Sequence, residues 1–366
     1  MKKHCFFLLV VLMAFLVVSG CSQDVGVTDG PEGPGEPGEE EIVKLRLQSA
    51  YGRGDISTDT LKEHFADAAE KHSGGTLQIE VFAEPEIVSM FETPAAAADG
   101  LIDLMHGHGA LWAGRGINVG DIEFGLPLAW RIPEKPDFRS QAEEAYRFYF
   151  EEGFADLLRE EYAKDGIYWL GFQSNGPVPF WIGTEKAAEA FQGTPEDLEG
   201  LVVRTDGLWM EWNHRVGMTG VDVPSMDAYT GLQTGTFDSH IWDMSVYLGL
   251  GFEEIAPYLI RGLENDHSMA HIVVNMDVWE GLSAEHQEAL TKAADDYFND
   301  LIDIYIECID QVQDLIDEGV ITVVQVSDAN VARHKEAALE IWDEIAERDE
   351  ACAKAVEMFK EWRGME

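Results

Sequence analysis

Arg204 is the side chain in this sequence with the most specific potential for binding a ligand. It directly follows Leu201-Val-Val203, a short apolar run that predicts a buried strand. Ligands of open α/β sheets bind beyond the carboxyl ends of the strands, and an arginine there can hold a carboxylate through two parallel hydrogen bonds. The alternative is a surface ion pair with one of the chain's many acidic residues.

Four aromatic residues are candidates for the wall of such a binding site: Trp112, Trp209, Trp242 and Phe124. Aromatic side chains bury large areas and exclude water, which strengthens the attraction between an arginine and a carboxylate. Packing in the hydrophobic core is the alternative for each of them.

The loops after predicted strands supply further candidates. Tyr51 follows the first predicted strand, and His106 and His108 follow the third. The two histidines are two residues apart, so on an extended chain their side chains point the same way. We expect hydrogen bonding to a solute or to the loop backbone rather than a metal pair. Asp238 ends a strand near the same region, where it either contacts the solute or caps the next turn, and capping is preferred.

Patterns typical of enzymes are missing from the sequence. In Gly171-Phe-Gln-Ser-Asn-Gly176 the spacing is one residue too long for a nucleophile elbow. Gly107-His-Gly109 lacks the third glycine that a dinucleotide-binding loop requires. The sequence therefore predicts a binding protein rather than an enzyme.

The segments that must position these residues alternate between strands and helices. Alternating apolar residues predict strands at Val43–Leu47, Leu77–Val81 and Leu101–Met105, with helical segments between them. This β-α-β-α-β order predicts an α/β fold with a parallel sheet. Further strands and helices between 166 and 246 predict a second α/β unit.

A long helix is predicted from Ser283 to about Asp317, with an apolar face that can brace both units. The predicted architecture is a two-lobed fold like that of periplasmic binding proteins, with a central cleft. Lobe I comprises 43–165 with about 247–282, and lobe II comprises 166–246 with about 283–366. Clefts between domains are the usual place for a small ligand.

Residues 1–21 have the pattern of a targeting segment, with Lys2 and Lys3 before the apolar run Phe6–Val18. The run ends in Val18-Ser-Gly-Cys21, which is similar to a lipobox, so we expect cleavage before Cys21 and lipidation of that residue. An ordinary signal peptide is the alternative. Residues 22–42 are rich in glycine, proline and acid and predict a disordered tether. The expected location is the periplasm or cell surface, with a lipid anchor.

The chain has 69 acidic and 25 basic residues and a net charge of −44 at pH 7. This charge argues against binding nucleic acid, whose phosphates would be repelled. Two cysteines remain beyond Cys21, namely Cys308 and Cys352. In an extracytoplasmic compartment they can form a disulfide or remain two buried thiols.

Several segments resemble the solute-binding subunit of TRAP (tripartite ATP-independent periplasmic) transporters. The most specific are Thr194-Pro-Glu-Asp-Leu-Glu-Gly-Leu-Val-Val-Arg204 and the turn at Gln233–Asp238. Three further segments are similar to the same family: 74–82, 95–104 and 275–283. The resemblance implies that Arg204 pairs with the carboxylate of the solute and that a membrane permease is the partner.

The chain is most similar to the branch that binds 2-oxo acids and lactate, because of Trp112-Ala-Gly-Arg115 and the residues around Trp242. In that branch a glutamate precedes this tryptophan and helps to hold a metal that bridges to the solute, but here the residue is Ile241. The branch also has a binding glutamine, for which Gln173 is the nearest candidate. We therefore expect no cofactor, with a calcium or sodium ion held by Asp243 and Gln173 as the alternative. His240 is a further candidate to replace the lost metal ligand.

These observations together predict an extracytoplasmic solute-binding protein that delivers a small organic acid to a TRAP permease. The expected solutes are 2-oxo acids, lactate, dicarboxylates or aromatic acids. The alternatives are a secreted α/β enzyme that acts on a small carboxylate, and a sensing module that signals to a receptor.

Overall fold

The computed structural model describes residues 42–132, 134–135, 137–176, 180–224, 227–263, 265 and 268–365. The predicted signal peptide, the lipidation site Cys21 and all of the predicted tether except Ile42 lie outside this part of the chain. Within it, no helix is both long enough and apolar enough to cross a membrane.

The first sheet has the strand order β2-β1-β3-β10-β4. Its strands are β1 (Val43–Ser49), β2 (Leu77–Phe82), β3 (Leu104–Gly107), β4 (Ile167–Asn175) and β10 (Ser268–Asn275). β1 runs parallel to β2 and β3, which confirms the predicted parallel unit. β10 is antiparallel to both β3 and β4, so the complete sheet is mixed.

The second sheet has the order β11-β9-β5-β8-β6-β7. Its strands are β5 (Phe180–Gly183), β6 (Val202–Arg204), β7 (Thr219–Val221), β8 (Ser239–Trp242), β9 (Tyr258–Arg261) and β11 (Thr322–Gln325). β6 is parallel to β7 and β8, whereas β5 is antiparallel to β8 and β9. The carboxyl ends of β6 and β8 therefore lie at the same edge of this sheet.

Helices cover the sheets and connect them. The α-helices are α1 (Ile56–Leu61), α2 (Asp67–His72), α3 (Thr93–Ala98), α4 (Val119–Gly125), α5 (Phe138–Phe150), α6 (Phe154–Ala163), α7 (Glu185–Gln192), α8 (Gly207–Arg215), α9 (Ala228–Gln233), α10 (Val246–Gly249), α11 (Met276–Gly281), α12 (Ala284–Asp317), α13 (Asp328–Ala346) and α14 (Glu350–Trp362). Shorter turns are 3₁₀ helices at Met90–Glu92, Gly109–Arg115, Pro195–Leu198 and Phe252–Glu254, and a π-helical turn at Lys62–Ala66 joins α1 to α2.

The long helix α12 confirms the prediction made from its cap and its apolar face. The hydroxyl of Ser283 accepts a hydrogen bond from the backbone N–H of His286 at 3.1 Å, which caps the first turn. Near its start Leu290 packs in the hydrophobic core that contains the first sheet, and near its end Val312 packs in a second core with Ile321. The helix thus contacts the hydrophobic cores beside both sheets.

Two strands belong to a different sheet from the lobe to which they were assigned. β4 was placed in lobe II, but it pairs with β10 in the first sheet. β9 was placed in lobe I, but it pairs with β5 and β11 in the second sheet. An apolar run predicts a strand without naming its hydrogen-bond partner, so these sheet pairings could not be predicted from the sequence. The lobe boundaries themselves stay a prediction.

Two predicted helices are each divided in two. The helical segment predicted over 141–164 is broken near Gly153, whose φ is +88°, a conformation that glycine adopts readily. The helix predicted from Asp328 to Trp362 stops at Ala346 and restarts after Asp349, whose side chain accepts from the N–H of Cys352 at 2.7 Å. Cys308 and Cys352 are both buried and are not bonded to each other.

Candidate functional site

Strand ends from both sheets meet around one small cavity. Arg204 and Trp242 are the last residues of β6 and β8, and Asn175 is the last residue of β4. The lining residues are Tyr51, Asp55, Met90, His108, Phe124, Asn175, Arg204, Asp206, Trp209, Ile241, Trp242, Asp243 and Ser268. The cavity has a volume of about 50 Å³. One water needs roughly 10–15 Å³ on this scale, so the cavity holds a few waters or a solute of a few heavy atoms.

The position of Arg204 is set by the segment before it. Thr194 and Asp197 form a capping box, and Asp197 accepts from the N–H of Thr194 at 2.7 Å. The turn ends before Gly200, whose φ of +81° reverses the chain into β6. Val203 is fully buried in the core, so the next side chain, that of Arg204, points to the other face of the strand. The cap and strand predicted here are confirmed, with the strand one residue later.

The guanidinium of Arg204 is buried, and part of it is already bonded. Its Nε and Nη2 both donate to the backbone oxygen of Val223, at 2.9 and 2.7 Å. Its Nη1 lies 3.4 Å from Oδ2 of Asp206. An arginine has five N–H donors, so the Nη1–Nη2 edge still has donors left for a ligand. That edge is the one that can bind a carboxylate through two bonds.

Asp206 stands at the N-cap position of α8 and lies between Arg204 and His108. Its Oδ2 is 3.7 Å from Nε2 of His108, and both side chains are almost fully buried. Burial lowers the pKa of His108 to about 4, against the opposing influence of Asp206. His108 is therefore neutral at pH 7, and its buried ring nitrogens have no hydrogen-bond partner among the described residues.

Asp55 lines the cavity at the start of α1. Its Oδ1 caps the helix by accepting from the N–H groups of Ser57 and Thr58 at 3.0 and 3.3 Å, and from the Ser57 hydroxyl at 2.5 Å. Burial, with a further contribution from the nearby charge of Asp243, raises the pKa of Asp55 to about 7. The carboxyl is thus held close to its titration point rather than fully ionised at neutral pH.

Asp243 follows β8 and is also buried. Its Oδ1 accepts from the N–H of Ser245 at 2.8 Å, and its Oδ2 accepts from the hydroxyl of Tyr305 at 3.3 Å. Burial raises the pKa of Asp243, although these hydrogen bonds act in the opposite direction. The cavity thus has three buried carboxyl groups and one guanidinium.

Aromatic rings form the apolar part of the wall. The ring of Trp209 packs on that of Phe124 at a centroid distance of 4.6 Å, and Phe124 stacks on His108 at 3.9 Å. Trp242 meets the ring of His240 edge-on at 4.9 Å. Phe124, Trp209 and Trp242 line the cavity, and their rings exclude water from around Arg204, which strengthens its electrostatic interactions.

The chain matches the family model described as bacterial extracellular solute-binding protein, family 7, over residues 48–349. The protein belongs to this family. Its members include the TRAP solute-binding proteins to which the sequence was found similar, so the predicted resemblance is confirmed.

Two relatives of known function are similar to this family 7 protein. The ectoine-binding periplasmic protein TeaA of Halomonas elongata is 26% identical over 207 residues, which cover 54% of this chain and 58% of TeaA. A monocarboxylate 2-oxoacid-binding periplasmic protein of Nostoc sp. is 22% identical over 325 residues, or 88% of this chain and 84% of the relative. The similarity to TeaA thus spans little more than half of either protein.

The fold of the family 7 protein is that of TRAP periplasmic solute-binding proteins. A crystal structure from Pseudoalteromonas atlantica T6c, with bound sodium and pyruvate, has a TM-score of 0.76 and 22% sequence identity. The similarity covers 88% of this chain and 94% of that structure. The predicted two-lobed α/β fold is confirmed. The family and this neighbour are solute-binding proteins, and the comparisons do not support the enzyme or sensing alternatives.

Six of the predicted binding residues line the cavity of the family 7 protein, namely Arg204, Trp209, Trp242, Tyr51, Phe124 and His108. Asp243, considered only as a metal ligand, also lines it. Their predicted contacts with a solute stay a prediction, but the structure places them together.

His106 and Gln173 lie beneath the cavity rather than in its wall. Nδ1 of His106 is 2.8 Å from Oγ of Ser49, and its Nε2 meets the side-chain amide of Gln173. Burial lowers the pKa of His106 to about 3, so the ring is neutral and bridges these two groups. Ser49 also accepts from the N–H of Tyr51 at 3.1 Å. The histidine predicted to touch the solute therefore supports the loop that carries Tyr51.

Trp112 and Asp238 are also outside the cavity. Trp112 is fully buried and meets Tyr162 edge-on at 5.4 Å, because the 3₁₀ turn that carries it packs its apolar side on the core. Asp238 accepts from the N–H of Val202 at 2.9 Å and forms an ion pair with Lys186 at 2.8 Å. Asp238 thus joins β6 to α7, and this is not the cap of the following turn that was preferred from the sequence.

Five lining residues were not predicted from the sequence: Asp55, Met90, Asn175, Asp206 and Ser268. Two of them, Asn175 and Asp206, lie at or just after the carboxyl ends of β4 and β6, so the rule that selected Arg204 applied to these positions as well. Asp55 caps α1 in the structure, and its sequence position in a loop gave no signal for a place in the site.

The described residues do not fit a bridging metal of the kind expected in the 2-oxo acid branch. Among them, no group of three or more His, Cys, Asp or Glu side chains is placed to hold a metal ion. Apolar Ile241 stands at the position of the branch's glutamate, and the amide of Gln173 is directed to His106. A solved relative holds sodium with pyruvate, but the chemistry of this site is derived without a metal. The absence of a cofactor stays a prediction.

Proposed function

We propose that this protein captures a small organic acid outside the cytoplasm and delivers it to the membrane permease of a TRAP transporter. The observation that carries this proposal is the position of Arg204, which is buried at a strand end with donors left on its Nη1–Nη2 edge. The solute carboxylate binds there, and the aromatic rings around the cavity keep water away from the pair.

The size of the cavity supports a small solute. Its volume of about 50 Å³ corresponds to a few waters, and such a confined space suits a small compound. The relatives bind ectoine and 2-oxo acids, and the similar crystal structure holds pyruvate. All of these compounds carry a carboxylate beside a small body.

The N-terminal segment supports attachment to a membrane. Cleavage before Cys21 and lipidation of its thiol leave 22–42 as a tether between the lipid and the folded chain. The protein then works next to its permease while the binding fold stays in the aqueous phase. Mass spectrometry of the mature N-terminus tests this part of the proposal, and an unmodified Cys21 contradicts it.

Binding by Arg204 is tested with the purified mature protein. A panel of 2-oxo acids, lactate, C4 dicarboxylates and pyroglutamate is titrated by thermal shift and calorimetry. A bound solute raises the melting temperature by mass action. Replacing Arg204 by Ala removes one partner of a buried charge pair, which costs about 2–5 kcal/mol, so affinity for the best solute falls at least about 30-fold.

The matched control is Arg147→Ala, since Arg147 is exposed and pairs with Glu144 on the surface. This variant should bind like the wild type. Unchanged affinity in the folded Arg204→Ala protein contradicts the role of Arg204. Failure of every acid in the panel, together with no co-purified solute in native mass spectrometry, contradicts the proposed function.

A further inference from the structure

The charges around the cavity do not suit a simple anion. Arg204 is the one cationic side chain among the described residues that line it, and it is paired with Asp206 at 3.4 Å. Asp55 and Asp243 line the same cavity, and no described Lys, Arg or His lies within ion-pair distance of either carboxyl. A solute with only negative charge would therefore meet two buried acids beyond its arginine partner.

The local bonds of these two acids leave acceptors for a ligand. The hydrogen bonds that Asp55 accepts from described residues all go to Oδ1, so its Oδ2 takes part in none of them. Asp243 accepts one backbone N–H at Oδ1 and the Tyr305 hydroxyl at Oδ2. A carboxylate has about four acceptor positions, so both groups can accept further bonds.

Asn175 gives a second, independent observation in the same cavity. Its Oδ1 is buried and has no hydrogen-bond partner among the described residues. A buried acceptor without a partner costs about 1–3 kcal/mol, so such a group points to a bond that a ligand supplies. The missing partner must be a donor, as the missing partner of Asp55 must be.

We propose that the solute is a small zwitterion whose carboxylate binds Arg204 and whose protonated amine binds Asp55, Asp243 and Asn175. This inference rests on the proposed function and names the class of solute. An ammonium group has donors and no acceptors, which matches a wall of oxygen acceptors. Its positive charge also compensates the buried carboxylates, which are costly without a partner.

The electrostatics of the ligand-free site agree with this proposal. The pKa of Asp55 is raised to about 7 by burial and by the charge of Asp243. A proton can therefore occupy the site when no solute is bound. When the solute is bound, its ammonium group replaces this proton, and the carboxyl groups of Asp55 and Asp243 both stay ionised. The absence of a fitting set of metal ligands among the described residues leaves this role to the solute itself.

The decisive experiment compares solutes that differ in one group. L-Alanine and L-lactate differ by an ammonium against a hydroxyl, and so do β-alanine and 3-hydroxypropionate. Ectoine, a cyclic zwitterion, and pyruvate complete the panel. Calorimetry on the ligand-free, unfolded-and-refolded wild type should show at least one zwitterion bound at least tenfold tighter than its matched or nearest acid.

Two variants separate the parts of the site. Asp55→Asn and Asp243→Asn keep the Oδ1 acceptor that each local turn uses, so both should fold. We expect each to weaken the zwitterion at least tenfold and so to reduce or reverse its advantage over the matched acid. Arg204→Ala should weaken both members of a pair, because both carry the carboxylate.

Three outcomes decide between the two proposals. Tight binding of lactate or pyruvate, with the matched zwitterions weaker and Arg204→Ala defective, overturns the zwitterion and leaves the proposed function standing. A solute without a basic nitrogen, released from the native protein and identified by mass spectrometry, does the same. Absence of binding across the panel and of any co-purified solute overturns both proposals.

Discussion

Glu123 and Asp55 are both buried carboxyl groups beside the first sheet, and they differ in their partners. Glu123 accepts from Tyr162 at 3.0 Å, from the indole of Trp169 at 2.8 Å and from His271 at 3.1 Å. Asp55 bonds through one oxygen to its own helix cap, and its other oxygen has no described donor. The fully bonded carboxylate stabilises the core, and the partly bonded one is available to a ligand.

The burial of the two cavity carboxyl groups has an electrostatic cost. Burial raises the pKa values of both Asp55 and Asp243, and the charge of Asp243 raises that of Asp55 further. No described cationic side chain lies within ion-pair distance of either group. A binding protein can keep such a site only at the expense of stability, and ligand binding recovers it.

The largest expected effect tests the bonded side of the comparison. Glu123→Ala leaves three buried donors without an acceptor and creates a cavity, so we expect unfolding free energy to fall by about 3–5 kcal/mol. Urea denaturation measures it. Glu160→Ala, on the exposed face of α6, is the control and should change stability by less than about 0.5 kcal/mol. A loss of unfolding free energy below about 1 kcal/mol for Glu123→Ala would contradict the stabilising role assigned to the fully bonded carboxylate.

The second largest effect concerns Asp55, the partly bonded carboxyl group of the comparison, and it depends on pH. The pKa of Asp55 is raised from its ordinary value of 3.8 to about 7 in the folded protein. Between these values the folded state binds more protons than the unfolded state, so this group lowers the stability of the ligand-free protein as pH rises. Asp55→Asn removes that dependence.

We therefore expect ligand-free Asp55→Asn to be more stable than the wild type at pH 8 by roughly 2–4 kcal/mol. The difference should shrink towards pH 4, where Asp55 of the wild type is protonated in the folded state and the pH approaches its ordinary pKa of 3.8 in the unfolded state. Asp243 and Tyr51 face Asp55 across the cavity and are kept unchanged. Melting temperatures at several pH values measure the difference, and a gap that widens as pH falls would contradict the assignment.

A smaller effect is expected beneath the cavity. Ser49→Ala removes the hydroxyl that meets His106 at 2.8 Å and Thr58 at 2.7 Å and that accepts from the N–H of Tyr51. We expect about 1–3 kcal/mol of lost stability. If the hydrogen bonds of Ser49 position Tyr51, solute affinity also falls a few-fold. A purely structural role of Ser49 would not produce this loss of affinity. Ser49→Thr, which restores a hydroxyl, should recover part of both losses.

The smallest effect concerns a third carboxyl group, that of Asp238. Lys186→Ala removes an ion pair whose lysine is 63% exposed, so stability should change by less than about 1 kcal/mol. Asp238→Ala should cost more, because the N–H of Val202 then loses its acceptor as well. Neither change should alter solute affinity. A binding defect in Lys186→Ala would indicate that Asp238 takes part in solute binding after all.

Local signals in the sequence predicted the segment before Arg204 and the long helix. Thr194, Pro195 and Gly200 act on the residues next to them, and Ser283 caps the helix that it precedes. Such interactions depend on spacing of a few residues, so they can be read along the chain. They explain why Arg204 was found at a strand end.

These local sequence signals could not predict how distant segments of the chain pair with each other. Asp55 and Asp243 are far apart in the sequence, and each has a local capping pattern that gives it a sufficient structural role. His106 follows a strand in the sequence, yet its ring lies under the cavity because Ser49 and Gln173 hold it there. The placement of the two aspartates and that of His106 both depend on how the strands pair in the folded chain.

The sequence by itself determined the family, the α/β class and the place of one arginine, because these depend on short patterns that survive in any arrangement of the lobes. The tertiary structure decided what surrounds that arginine. It brought strand ends of two sheets together and placed Asp55 and Asp243 in the same cavity, with Asn175 beside them. The charge that a solute must carry to fit depends on the combined charge of these side chains. They are far apart in the sequence and come together only in the folded chain.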